Sequence, residues 1–219
     1  MKVNTDGVLL GVLAEAASPA RILDIGTGTG VIALILAQRF SSAHITAVEI
    51  DENAAVAAAG NFCASVFNSR LQVFHSSIGR YFEENRKNKF DLIVSNPPFF
   101  IDSLKSDNHL KGIARHTDQV FFETLLRDSA FHLEETGELA LILPVKLSEL
   151  TQSLALKHDL YVQRKISICS FADSVPHREI LSLGFKSREA EFTNFVIYSK
   201  PKEYSVEYKV LLKDFFTIF

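Results

Sequence analysis

The chain has 219 residues, 47% of them hydrophobic, and a formal net charge of −3, enough apolar material to bury a core and form one domain over 1–219. The small negative charge argues against broad electrostatic coating of nucleic acid but allows a local basic face. No run of 18 apolar residues and no charged-apolar-small leader is visible, so neither a membrane span nor a signal peptide is expected. Cys63 and Cys169 stand in apolar surroundings, which suits packing in a reducing compartment, and a cytoplasmic location is expected. No Cys/His cluster has metal-site spacing, so no metal is expected.

In chain order, Thr5-Asp6-Gly7 reads as a helix start ahead of Val8, Leu9, Leu10, Val12 and Leu13. Arg21 to Ile25 reads as a buried strand. Gly26-Thr27-Gly28-Thr29-Gly30 follows at once, and an apolar helix continues from Val31 to Phe40. Strand, glycine turn and helix together bring a ligand against backbone N–H groups at a helix N-terminus. The spacing is Gly-x-Gly-x-Gly, not the Gly-x-Gly-x-x-Gly of dinucleotide binding. The next strand, Ile45 to Glu49, ends in a carboxylate of the kind that accepts hydrogen bonds from ribose hydroxyls.

Asp51-Glu52-Asn53 opens an alanine-rich helix to about Val66, and a third strand, Leu71 to Phe74, leads into His75-Ser76-Ser77-Ile78. After an amphipathic stretch from Arg80 to Asn88, a fourth strand from Phe90 ends at Asn96-Pro97-Pro98-Phe99. The prolines fix φ and remove two donors, and Pro97 keeps Asn96 out of the α region. The turn therefore presents an amide, bare carbonyls and an aromatic face where an α/β sheet binds ligands. Alone, the same four residues would also suit an ordinary proline loop.

Residues 100 to 116 read as a long polar loop, with Thr117 or Asp118 capping a helix to about Glu134. Thr136-Gly137 turns into a strand from Glu138 to Leu143, Leu147 to His158 reads as helix, and Tyr161–Ser170 with Glu191–Tyr198 reads as a closing antiparallel pair. The sum is an α/β, doubly wound, mostly parallel sheet with a mixed edge. Two basic groups, Lys105, Lys111, Arg115 and His116, then His177, Arg178, Lys186 and Arg188, suit an RNA groove or a solvated surface equally.

The glycine turn, Glu49 and Asn-Pro-Pro-Phe together resemble the class I S-adenosylmethionine-dependent methyltransferases, in the amino-methylating branch. The chain is more closely similar to the bacterial tRNA1(Val) adenine N6-methyltransferases, which modify the adenosine 3′ of the anticodon, position 37. The matching stretches are Met1-Lys2-Val3-Asn4-Thr5-Asp6-Gly7-Val8-Leu9-Leu10-Gly11, Ile22 to Leu36, Ala47 to Asp51, Asp91 to Phe100 and Ala114-Arg115-His116-Thr117. The resemblance implies a seven-stranded Rossmann-like sheet with an antiparallel hairpin at its edge. It implies S-adenosylmethionine as cofactor, tRNA as partner, and a monomer is expected.

It also implies roles. Asp24 would accept from the methionine amino group, Thr5 and Asp6 would cover that end, and Gly26, Gly28 and Gly30 would admit the cofactor. Glu49 would hold both ribose hydroxyls. Ser77 stands where relatives often place an acid for the cofactor's adenine, so its hydroxyl or the Ile78 backbone would substitute. Asn96, next to the cofactor, and the Pro97 carbonyl would accept the target amine's N–H groups, and Phe99 would stack on the base. Pro98, Phe100, Lys105, Lys111, Arg115 and His116 would complete the substrate side. Two departures from the expected pattern stand out: Ser77 replaces an acid, and the given sequence starts at the Met-Lys-Val that a Phe-rich segment usually precedes in the family. Other readings are an rRNA guanine N2-methyltransferase, which needs similar acceptors, and a protein glutamine N5-methyltransferase, which resembles a form with an added helical domain. A DNA adenine methyltransferase generally needs a separate target-recognition domain. An NAD enzyme or a nucleotide-binding module without turnover is disfavoured by the glycine spacing and by Asn96.

Overall fold

The computed structural model describes residues 4–98 and 108–216, with backbone alone at 108–116 and 118. Its first half follows from a repeated local pattern in which a short buried strand alternates with a helix. The elements are α1 (Thr5–Leu13), β1 (Arg21–Ile25), α2 (Val31–Arg39), β2 (His44–Glu49), α3 (Glu52–Ala64), β3 (Leu71–His75), α4 (Ile78–Glu84) and β4 (Phe90–Ser95). Asp51 caps α3 by accepting from the Ala54 N–H at 2.8 Å, as its place before the alanine run suggests.

β1 pairs in parallel with β2 on one side and β4 on the other, Ile25 lying opposite both Val48 and Ser95. The chain winds outward from β1 to β3 and then returns to the other flank of β1. That reversal opens a crevice at the carboxyl ends of β1 and β4. Alternation along the strands splits the core into two layers. Ile22, Ile45, Leu92 and Ile180 face α1, α2 and α3, whereas Leu23, Val48, Ile93 and Leu181 face α4 and the next two helices of the chain.

The second half departs from the sequence reading. α5 runs Asn108–His132, so 108–116 is helix, not loop, and no cap at Thr117 or Asp118 begins it. β5 begins at Leu133, not Glu138, because Leu133 pairs with Phe90 ahead of an irregularity that carries polar Glu134 to Thr136 outward. After α6 (Val145–Ala155) and β6 (Tyr161–Cys169) comes an unanticipated strand, β7 (Arg178–Gly184). It inserts between β5 and β6, antiparallel to both. Charged Arg178 and Glu179 hide its short apolar run, Ile180 to Leu183, in a sequence pattern. β8 (Glu191–Val196) therefore pairs with β6 in parallel, not antiparallel. Among the described residues the sheet holds eight strands, one more than expected, in the order β3-β2-β1-β4-β5-β7-β6-β8. A small ladder of β9 (Tyr198–Lys200) and β10 (Glu203–Tyr204) leads to α7 (Val206–Leu212), whose Tyr208 and Leu212 cover the first core layer.

Candidate active site

The turn after β1 is built on backbone that side chains rarely adopt. Gly26, Gly28 and Gly30 have φ of +71°, +58° and +87°. The Gly26 and Thr27 N–H groups both donate to the Val48 carbonyl, at 2.8 and 3.2 Å, which fastens the turn to the end of β2. A Cβ at Gly30 would lie 2.4 Å from the Phe62 ring, so that glycine lets α2 pack on α3. It lies off the cavity described below, whereas Gly26 and Gly28 line it.

Glu49, at the end of β2, is buried. Its Oε2 accepts from the Gly28 N–H at 2.8 Å and its Oε1 from the Asp51 N–H at 2.9 Å. Each carboxylate oxygen retains capacity for another donor from the cavity side. Asp24 sits beneath the turn, not on the cavity wall. It is fully buried, Oδ2 accepts from the Thr27 hydroxyl at 2.6 Å, and Oδ1 has no partner. Burial pushes its carboxyl up to about 7, against the pull of hydrogen bonds from Thr27 and the Ala33 backbone.

The opposite wall comes from β4. The Ser95 hydroxyl donates to the Ile25 carbonyl at 2.8 Å, locking the two strand ends together. Half-buried Asn96, buried Pro97 and exposed Pro98 follow on the cavity wall. At one end stands the start of α1. Asn4 caps that helix, accepting from the Gly7 N–H at 2.7 Å, so neither Thr5 nor Asp6 is the cap. Asp6 lines the cavity and accepts from Arg178 Nε at 2.8 Å, while Thr5 stands off it. Ser77 caps α4 by accepting from the Arg80 N–H at 3.3 Å, and with Ile78 it lines another part of the wall. The enclosed space is about 580 Å³, within the range of small-molecule sites.

The wall also includes Asn4, Ile50 and Phe121, which the sequence reading did not single out. Ile50 offered a signal, being an apolar residue just outside the strand that ends in Glu49, and it is 70% exposed. Asn4 is of capping type, immediately before the Thr-Asp-Gly start. Phe121 offered none, since helical spacing does not separate it from the core residue Phe122.

Phe99, Phe100 and Lys105 lie outside the described residues. Lys111, Arg115 and His116 fall within α5. The second basic group divides. His177 and Arg178 stand at the start of β7, on the edge of the sheet that carries the cavity, while Lys186 and Arg188 lie beyond its far end. There Arg188 approaches Glu138 at 3.9 Å. Among the described residues no group of three or more His, Cys, Asp or Glu could hold a metal ion, and no helix is long and apolar enough to cross a membrane.

Residues 5–160 match the family model of the methyltransferase small domain. The chain belongs to that family. This methyltransferase is 47% identical to a tRNA1(Val) (adenine(37)-N6)-methyltransferase of Pedobacter heparinus over 219 residues, the whole of this chain and 92% of that one. It is 40% identical to the protein of the same description from Parabacteroides distasonis, over 99% of this chain and 91% of the other. In fold it is similar to a predicted O-methyltransferase of Agrobacterium tumefaciens, with a TM-score of 0.67 at 16% identity and 95% of each chain covered. S-adenosylmethionine is its cofactor, and the cavity fits that molecule. Backbone at Gly26 and Gly28 approaches without side chains, a buried carboxylate stands at the end of β2, and Ile50 and Ile78 offer apolar surface for a flat base.

Proposed function

We propose that this methyltransferase transfers a methyl group from S-adenosylmethionine to the N6 amine of adenosine 37 in tRNA1(Val). The observation that carries the reading is the placement of Asn96 and Pro97 on the cavity wall, directly after the Ser95–Ile25 lock. Relatives described as tRNA1(Val) (adenine(37)-N6)-methyltransferases, matched over 92% and 91% of their length, support the choice of acceptor.

When bound, the cofactor supplies a methyl group on a positively charged sulfur. Glu49 would hold the ribose hydroxyls, and Gly26 and Gly28 would let the backbone approach. Ser77 and Ile78 would border the adenine, with Asn4 and Asp6 at the amino-acid end. Asp24 and Gly30 support this set from behind, through Thr27 and Phe62 respectively. On the acceptor side, an adenine N6 amine is a poor nucleophile because its lone pair is delocalised into the ring. The Asn96 side-chain oxygen and the Pro97 carbonyl would each accept one N–H, drawing the nitrogen towards sp3 geometry. Its lone pair would then be aimed at the methyl group that the cofactor supplies. The amine would give up its proton to solvent only after methylation, so no strong base is required beforehand. The acceleration comes from positioning and acceptor electrostatics. Phe99 would stack on the flipped base, and Pro98, Phe100, Lys105, Lys111, Arg115 and His116 would hold the RNA. The enzyme would act as a monomer in the cytoplasm.

The test is to incubate the protein and labelled S-adenosylmethionine with unmodified tRNA, rRNA, DNA and release-factor protein, then identify the methylated residue. N6-methyladenosine at position 37 of tRNA1(Val) is the expected product. N2-methylguanosine, or label on protein, would overturn the acceptor assignment.

A further inference from the structure

Arg178 lies beyond residues 5–160, where the family match ends, yet from the other end of the chain it bonds Asp6, a residue of the cavity wall. It stands first in β7, which is held in the sheet between β5 and β6. Its Nε donates to Asp6 Oδ2 at 2.8 Å and its Nη1 to the His177 carbonyl at 2.9 Å. About three-quarters of each side chain in the pair is buried, with Arg178 26% and Asp6 24% exposed. Asp6 in turn lines the cavity beside Asn4 and Gly7, in the first turn of α1.

A carboxylate with one oxygen engaged by a guanidinium keeps the second oxygen and further lone pairs for another donor. A short Asp side chain at a helix start would otherwise turn freely among rotamers. We propose that Arg178 is a positioning residue for the methyl-donor site. It fixes one oxygen of Asp6, so that the remaining acceptor capacity meets a primary ammonium group, the chemistry at the amino-acid end of S-adenosylmethionine. The proposal rests on the donor reading of the cavity, not on the choice of RNA. A surface clasp is the rival explanation, and a partly exposed ion pair of that sort contributes little to stability. α1 has its own reason to stay folded, since Val8, Leu9, Leu10 and Val12 are buried in the core.

The test uses Arg178→Gln and Arg178→Lys in the full chain, with S-adenosylhomocysteine binding read by calorimetry without RNA and methylation read at steady state. Arg178→Gln is expected to weaken S-adenosylhomocysteine binding and to raise KM for S-adenosylmethionine, each about tenfold. The kcat at saturating donor and KM for tRNA should move less than about twofold. Arg178→Lys should recover part of the affinity, because an ammonium supplies charge without the planar fork. Unchanged S-adenosylhomocysteine affinity in Arg178→Gln, with or without a lower Tm, would overturn the proposal. So would equal losses in donor and RNA parameters. Because donor binding is read without RNA, failure of this proposal is distinguishable from failure of the acceptor assignment.

Discussion

Strands β1 to β4 and strands β5 to β8 share one sheet but distribute chemistry in opposite ways. In the first set every strand is parallel, so each carboxyl end returns to the same edge. A residue at or just beyond each strand end then falls at the cavity: Gly26 after β1, Glu49 at the end of β2, Ser77 beyond β3, Asn96 after β4. In the second set β7 runs backwards between its neighbours. His177 and Arg178 stand at the sheet edge that carries the cavity, while Lys186 and Arg188, close in sequence, stand a strand's length away. Closeness in sequence reports a shared site only where topology brings every strand back to one edge.

That contrast can be broken most sharply at Asn96. Asn96→Ala is expected to cut single-turnover methylation by roughly 10²–10³-fold, the scale seen when one positioned polar group of a transition-state site is removed. S-adenosylhomocysteine binding should stay near wild type. Turnover close to wild type in this variant would remove Asn96 from the chemistry.

The glycine turn offers a comparison inside the first half. Gly30→Ala combines a left-handed backbone with a Cβ 2.4 Å from the Phe62 ring. It should lower unfolding free energy in urea by about 2–4 kcal/mol. Gly26→Ala has the same backbone problem but no atom within 4 Å of its new Cβ. Its stability cost should be about 1 kcal/mol, and its larger effect should fall on donor affinity. Equal stability losses at the two positions would remove the distinction between the packing glycine and the cavity glycine.

Asp24 makes a pH-dependent contribution. Its carboxyl is raised from 3.8 to about 7 by burial, so between those values the folded protein holds a proton that the unfolded chain has lost. Stability from this group is therefore fully present below pH 3.8 and falls as pH rises through about 7. Asp24→Asn should flatten that slope, seen as a stability difference between the two proteins that changes from pH 4 towards pH 7 and levels off above it. Parallel curves would show that Asp24 is ionised in the folded protein.

The smallest effect is expected at the sheet's far edge. Phe192 is 66% exposed, with Lys165 Nζ 5.4 Å from its ring centroid. Phe192→Ala should cost at most about 1 kcal/mol and leave donor affinity unchanged. A marked loss of methylation would show that β8, too, belongs to the functional half.

The parts of the site that were legible share a local cause. A glycine run after a buried strand, an acid at the next strand end and an amide before two prolines each announce themselves within a few residues. Ile50 and Phe121 were not legible, because their meaning depends on what the sheet brings opposite them. Asp24 illustrates the boundary. The family resemblance implied contact with the donor, yet its side chain points beneath the turn, to Thr27. The basic group around Arg178 shows the same limit, since β7's direction separates residues that the chain keeps close.

The sequence by itself determined the alternating α/β plan, the residue types at the strand ends and the family, because those depend on short-range patterns that each carry their own physical reason. Only the tertiary structure decided the eighth strand, the antiparallel course of β7, the burial of Asp24 and the bond between Arg178 and Asp6. Each of these depends on non-local pairing, which places residues from distant parts of the chain at one strand edge and sets which side chains lose contact with water.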